Sequence, residues 1–224
     1  MRRVTAAAVI TAPVLFLVVN VLHPKEYTRD HEAQQLQTIA DHYTRWQFVH
    51  FLTFVAIMVF ALVVFGLAWI LYSRLPGMAI LGAVLGTWGL IALGGVLALD
   101  GFTWGALGQV TLWPGVDQRT VQLALHSVQQ SKWALPFYAG ALLWIAGLLI
   151  LTIGLIRQRL IPSAQGWIFA LGVVLVGIEG AIQNNTYFIV AAAVLAVGGV
   201  GVGLAIRHDV ADADSQRSGN LQPG

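Results

Sequence analysis

Six apolar runs, each roughly 18 to 25 residues long, follow one another along most of this chain with almost no charge inside them. No other feature constrains the fold as much. A backbone that enters hydrocarbon must satisfy every N–H and C=O within its own segment, so each run has to be helical. A barrel would alternate apolar and polar residues over strands of roughly ten residues, and these runs do not alternate. Composition agrees. The chain is 58% hydrophobic and only 10% charged, with a mean hydropathy of +0.76; a soluble domain is about 25% charged. The expected fold is an all-α integral membrane bundle of six transmembrane helices with amphipathic helices on its outer face, and the bilayer is its first partner.

Several function classes fall away at once. The formal charge is +2, and no run of Lys or Arg offers a footprint for phosphates, so nucleic acid is not an expected partner. Cysteine is absent, which removes disulfides, thiolate metal sites, iron–sulfur clusters and a cysteine nucleophile. No phosphate-binding loop, nucleophile elbow or HExxH motif is present.

The expected spans are about 4–22, 47–72, 78–99, 134–156, 167–183 and 187–206, followed by a polar, disordered tail over 207–224. Arg2 and Arg3 before an apolar run also fit a signal peptide. The run is long for one and has no cleavage site before His23-Pro24, so it reads as a retained span, kinked at Pro13. Residues 23–45 are polar. From Asp30, a candidate N-cap, the residues Leu36, Ile39, Tyr43 and Trp46 recur at helical spacing. This predicts an amphipathic helix continuing into the second span. Asp100-Gly101 is expected to close the third span. The connection 101–132 then holds a helix capped by Asp117, with Val121, Leu125 and Val128 on its apolar side.

Seven of the twelve basic residues (Arg2, Arg3, Arg74, Arg157, Arg159, Arg207, Arg217) fall on the side of the N-terminus, and the short loops there hold almost only Arg. By the positive-inside rule both termini face the cytoplasm, across a plasma or inner membrane. Residues 23–45 and 101–132 then lie outside, with five histidines: His23, His31, His42, His50 and His126.

The polar residues inside or beside the spans mark the candidate site. His42, Trp46 and His50 are spaced to share one helix face. On the third span Gly82, Gly86 and Gly89 share a stripe with Asp100, so Asp100 should face the bundle. Gly140, Gly147 and Gly154 read as a packing seam on the fourth. On the fifth, Glu179 aligns with Gly172 and Gln183. Glu179 sits roughly 10 Å below the outer surface, where an unpaired carboxylate costs about 2.5–3.5 kcal/mol on insertion scales. The candidate pocket is therefore His50, Asp100, His126, Glu179, Gln183 and His42, expected to converge near the outer face. The bland readings stand beside it. His42 on a surface helix is exposed, His50 and His126 bond loop backbone, and Asp100 merely ends a helix.

Three short motifs, Leu22-His23-Pro24 ending the first run, Trp46-x-x-x-His50 opening the second and Asp100-Gly101 closing the third, resemble a pattern of uncharacterised small multi-pass bacterial membrane proteins. The resemblance covers roughly the first half of the chain. It implies six spans and carries no catalytic residue with it. Three functions stay open. The first is a binding or accessory role, with a partner membrane subunit or a second copy of the chain. The second is a haem or divalent-metal site, for an oxidoreductase or a metal-dependent hydrolase, with His50, His126, Asp100 and Glu179 as ligands. The third is a transporter or proton pathway through Glu179. The apparent lack of polar residues in the inner halves of the spans argues against that last one.

Overall fold

The computed structural model describes the backbone of residues 1–24, 32–132, 135–182 and 184–219; side chains at 135, 137, 138, 141, 179–182 and 209–219 are not described. The described residues are all-α. In order they form α1 (Arg2–Leu22), α2 (Glu32–Asp41), α3 (Tyr43–Tyr72), α4 (Pro76–Ala98), a π-helical turn (Leu99–Thr103), α5 (Trp104–Val110), α6 (Gln118–Gln129), α7 (Leu135–Arg157), α8 (Ser163–Ile182) and α9 (Asn185–Gly219). Among the described residues, four stretches are long and apolar enough to cross a bilayer: Arg2–Leu22, Tyr43–Tyr72, Pro76–Val110 and Asn185–His208. The chain is a helical membrane protein. On α3 the exposed residues Phe51, Phe54, Met58, Leu62, Phe65 and Trp69 form a helical stripe, while Ile57, Phe60, Val64 and Leu71 are buried. A helix apolar on every face needs protein on one side and lipid on the other.

The long helices form a ring. α1 packs on α3, α3 on α4, α4 on α7, α7 on α8, α8 on α9, and α9 closes back on α1, while α3 also touches α7. Neighbours run antiparallel. Along α4 and α7, for example, Gly82 faces Leu151, Gly86 faces Gly147 and Gly89 faces Trp144. At the centre Phe60 meets Phe16 edge-on at 6.4 Å and Trp144 at 5.0 Å.

Small residues set how close the helices come. A Cβ on Gly89 would land on the Trp144 backbone, and one on Gly147 would land on the Gly86 backbone. Of the glycine seams expected on the third and fourth spans, Gly82, Gly89, Gly140 and Gly147 lie where α4 and α7 meet, whereas Gly154 lies against Leu71 of α3. Pro13 uses the same device on α1. It has no N–H for the carbonyl of Val9 four residues back, and Gly199 of α9 lies against that carbonyl, where an added Cβ would stand 2.7 Å from the oxygen.

At one end three short helices stack into a cap. Leu36, Ile39, Trp46, Trp104, Val121 and Leu125 form a separate small core there. These include Leu36, Ile39, Val121 and Leu125 as expected, although Tyr43 is exposed and Val128 is half-buried outside this core. Asp117 caps α6 as expected, accepting from the Arg119 backbone N–H at 3.1 Å and the Thr120 hydroxyl at 2.7 Å. Those two donors hold its carboxyl below the usual range.

Several boundaries differ from the sequence reading. α2 does not run into the second span; His42, at φ −119° and ψ 29°, breaks the helix between α2 and α3. The third span does not stop at Asp100-Gly101. It passes through the π-helical turn and continues to Val110, because Gly101, Gly105 and Gly108 give α3 and α2 a flat face to pack on. α9 likewise stays helical beyond Ile206, as far as Gly219. Nor are the halves of the spans away from the cap wholly apolar, since Thr5 and Thr152 are buried there.

The α4–α7 contact yields a sharp contrast. Gly89→Ala should force the two backbones apart and cost about 1–3 kcal/mol or more. Gly94→Ala, with nothing within 4 Å of the added carbon, should be neutral or stabilising by up to about 1 kcal/mol. Thermal unfolding in detergent checks both.

Candidate functional site

The junction of cap and bundle is built from the end of α1, the start of α3 and the π-helical turn. The last carbonyls of a helix have no partner within it. Arg45, near the start of α3, answers one of them: its Nε–H donates to the Leu22 carbonyl at 2.5 Å. His23 follows directly. Its ring meets Trp46 at 5.1 Å and His50 at 5.4 Å, both edge-on, and Trp46 lies over His50 at 4.4 Å. Three aromatic rings from two helices thus form one cluster.

Trp46 ties this cluster to the third span. Its indole N–H donates to the Gly101 carbonyl at 3.0 Å, and the Gln47 amide reaches the same oxygen at 3.4 Å. Gly101 has to be glycine for the approach, because a Cβ there would stand 2.8 Å from the His50 ring. His50 is buried, and its Nδ1 bonds the Trp46 carbonyl at 2.8 Å. A carbonyl only accepts, so Nδ1 carries the proton and Nε2 holds the lone pair. By the same argument the His23 Nδ1 donates to the Pro24 carbonyl, 3.0 Å away.

Two atoms on the same turn stand out. Asp100 Oδ1 and Trp104 Nε1 are both shut off from solvent and have no hydrogen-bond partner among the described residues. One is an acceptor and the other a donor. Each unsatisfied buried group costs about 1–3 kcal/mol, and native proteins retain few of them. π-Helical turns also gather at functional positions.

The structure brings together only part of the expected set. His50 and the Asp100-Gly101 turn meet. His126 does not join them. It is exposed on α6, where its Nδ1 bonds Glu32 Oε1 of α2 at 2.9 Å. The Gln129 amide donates to Gln35 at 3.1 Å alongside, so His126 helps fasten α6 to α2. His42 is exposed at the α2–α3 break. The Glu179 side chain, Gln183 and His31 lie outside the described residues. α8, which carries Glu179, packs on α7 and α9 and, among the described residues, makes no contact with α3 or the π-helical turn. Among the described residues no three His, Asp or Glu side chains are placed to hold a metal ion.

His23, Gln47 and Trp104 belong to the junction although the sequence did not single them out as site residues. The signal for Trp104 was its i+4 spacing from Asp100. For His23 it was the position immediately after a span, opposite the start of the next. No family model, no curated protein and no solved structure matches the chain.

Burial holds the His23 ring below the usual histidine range; the Arg45 charge adds to this, and the bond to Pro24 opposes it. The fold therefore favours neutral His23. Its contribution is complete above the unfolded value of about 6.5 and is lost as pH falls from there toward the folded value. The melting temperature in detergent should fall between about pH 7.5 and 5.5, and by less in His23→Asn. An equal fall in the variant would remove His23 as the cause.

Proposed function

We propose that the chain crosses a plasma or inner membrane six times, with both termini cytoplasmic, and serves as a binding or accessory protein. Its candidate pocket lies under the cap at the outer face. The antiparallel seating of α7 along α4, and of α8 along α9, supports six crossings. Both helices have the length for it, at 23 and 20 residues.

One observation carries the binding reading. Asp100 Oδ1 is a buried acceptor without a partner among the described residues, set in a π-helical turn where the Trp46 indole N–H, the Gln47 amide N–H and the His50 Nδ1 all go to backbone carbonyls. A small polar ligand that donates to Asp100 would relieve it. Glu179 is carried by α8, which among the described residues packs on α7 and α9 and not on α3 or the π-helical turn, so the proposed pocket centres on Asp100 and His50.

A haem or metal centre finds less support. The rings of His23 and His50 touch edge to face, which leaves no gap for a macrocycle between them. His126 is committed to Glu32.

The binding reading makes an unusual stability prediction. Asp100→Leu should raise the melting temperature in detergent, in line with removal of an unsatisfied group worth about 1–3 kcal/mol. If the variant melts lower than the parent, the carboxylate is a structural partner and the binding reading fails.

Topology can be read separately, because the chain contains no cysteine. In intact cells a membrane-impermeant maleimide should label Ser131→Cys and Asn184→Cys but not Ser163→Cys. Labelling of all three would mean that α7 and α8 do not cross.

A further inference from the structure

At the end of the bundle opposite the cap, the α7–α8 loop and the facing part of α9 enclose an open cleft of about 630 Å³. Its polar rim is Arg159, Ser163, Gln165 and His208, and Leu160 and Leu204 are among its apolar lining. The rim is built at a cost to the backbone. α7 ends in a Schellman motif: the Arg159 N–H bonds the Ile156 carbonyl at 3.0 Å, and the Leu160 N–H bonds the Leu155 carbonyl at 2.9 Å. The left-handed residue of such a motif is usually glycine, which adopts that conformation without penalty. Here it is Arg159, at φ 54°, and no other described non-glycine residue has a positive φ. The chain accepts a strained position and gains a guanidinium at the rim of the cleft.

The other polar groups fit an anionic ligand that also carries a donor. Gln165 Oε1 is buried without a partner among the described residues. Its side chain lies against α9 at Gly201, where a Cβ would stand 2.7 Å from Gln165 Cγ. No carboxylate is among the described lining residues. The α8 N-terminus, opened by Ser163, adds a positive partial charge at the same mouth.

We propose that this cleft binds an anionic phospholipid. The phosphate sits against Arg159, Ser163 and His208, a headgroup hydroxyl donates to Gln165 Oε1, and the glycerol and upper acyl chain lie on Leu160 and Leu204. A charged rim over an apolar floor, at the level where helices end, matches the two-part chemistry of such a lipid. Phosphatidylglycerol carries both the phosphate and the hydroxyl donors.

The test uses the full chain in detergent. Melting temperature is measured alone and with phosphatidylglycerol, phosphatidylcholine or inorganic phosphate at matched ionic strength. Phosphatidylglycerol should raise it by a few degrees through preferential binding to the folded state, and the other two should not. Arg159→Gly relieves the backbone and so should fold at least as well as the parent. It should lose most of the lipid-induced shift. A full shift in Arg159→Gly, or an equal one with phosphatidylcholine, would overturn the site. A full shift from inorganic phosphate alone would overturn the lipid assignment in favour of a soluble anion.

Discussion

Helices in a bilayer gain almost nothing by exchanging lipid for apolar protein surface, so close backbone approach must hold this bundle together. Glycine supplies it along the ring. Between α4 and α7 the helices meet where Gly86, Gly89 and Gly147 leave no side chain between the backbones. Between α1 and α9, Gly199 occupies the notch opened by Pro13. The large residues Phe60 and Trp144 then fill the centre. The order matters, because bulky side chains can interlock only after small ones have set the spacing.

The same device continues past the apolar core, where it gains a second purpose. Gly101, Gly105 and Gly108 extend the flat face of the third span into the cap. There they seat α3 and α2, and Gly101 also brings its backbone carbonyl within reach of side-chain donors. The Gly101 carbonyl takes the Trp46 indole and the Gln47 amide because nothing projects from its own residue to keep them away. The aromatic cluster of His23, Trp46 and His50 packs where Gly101 leaves room, and its Trp46 indole N–H joins α3 to the third span, while the His50 and His23 Nδ1 atoms bond carbonyls of their own segments.

Much of this was legible in the sequence. Apolar runs announced membrane helices, and glycines at helical spacing marked the α4–α7 seam. Leu36, Ile39, Val121 and Leu125 marked the cap core, and Asp117 its helix cap. All of these are local patterns with one physical reading. The site was less legible, because convergence of side chains depends on which helices are neighbours, and a helical wheel carries no such information. His126 and His50 fall at one end of the molecule, yet His126 bonds Glu32 across the cap. The π-helical turn was equally hidden. Asp-Gly ordinarily ends a helix, and only the packing of α2 and α3 on the glycine face explains why this helix continues. The strained Arg159 had no sequence signal beyond a basic residue at the end of a span.

Among the local costs that packing does not explain, two lie at opposite ends of the bundle. At the cap, Asp100 and Trp104 leave an acceptor and a donor unanswered, while the Trp46 indole N–H and the His50 Nδ1 are spent on backbone carbonyls. At the other end, Arg159 holds a conformation that glycine would take freely. A leucine at position 100 would remove the orphan acceptor and a glycine at position 159 the backbone strain, and neither position lies on the contacts of the helix ring. Marginal stability makes even a small avoidable penalty matter, so sequences retain such penalties where something outside the fold offsets them. At Arg159 the offsetting partner is legible in the cleft: a charged rim, an apolar floor and an orphan amide oxygen describe an amphiphilic anion. At Asp100 only the polarity of the partner is legible, a donor to the carboxylate, and its shape is set by whatever space the cap leaves above the π-helical turn.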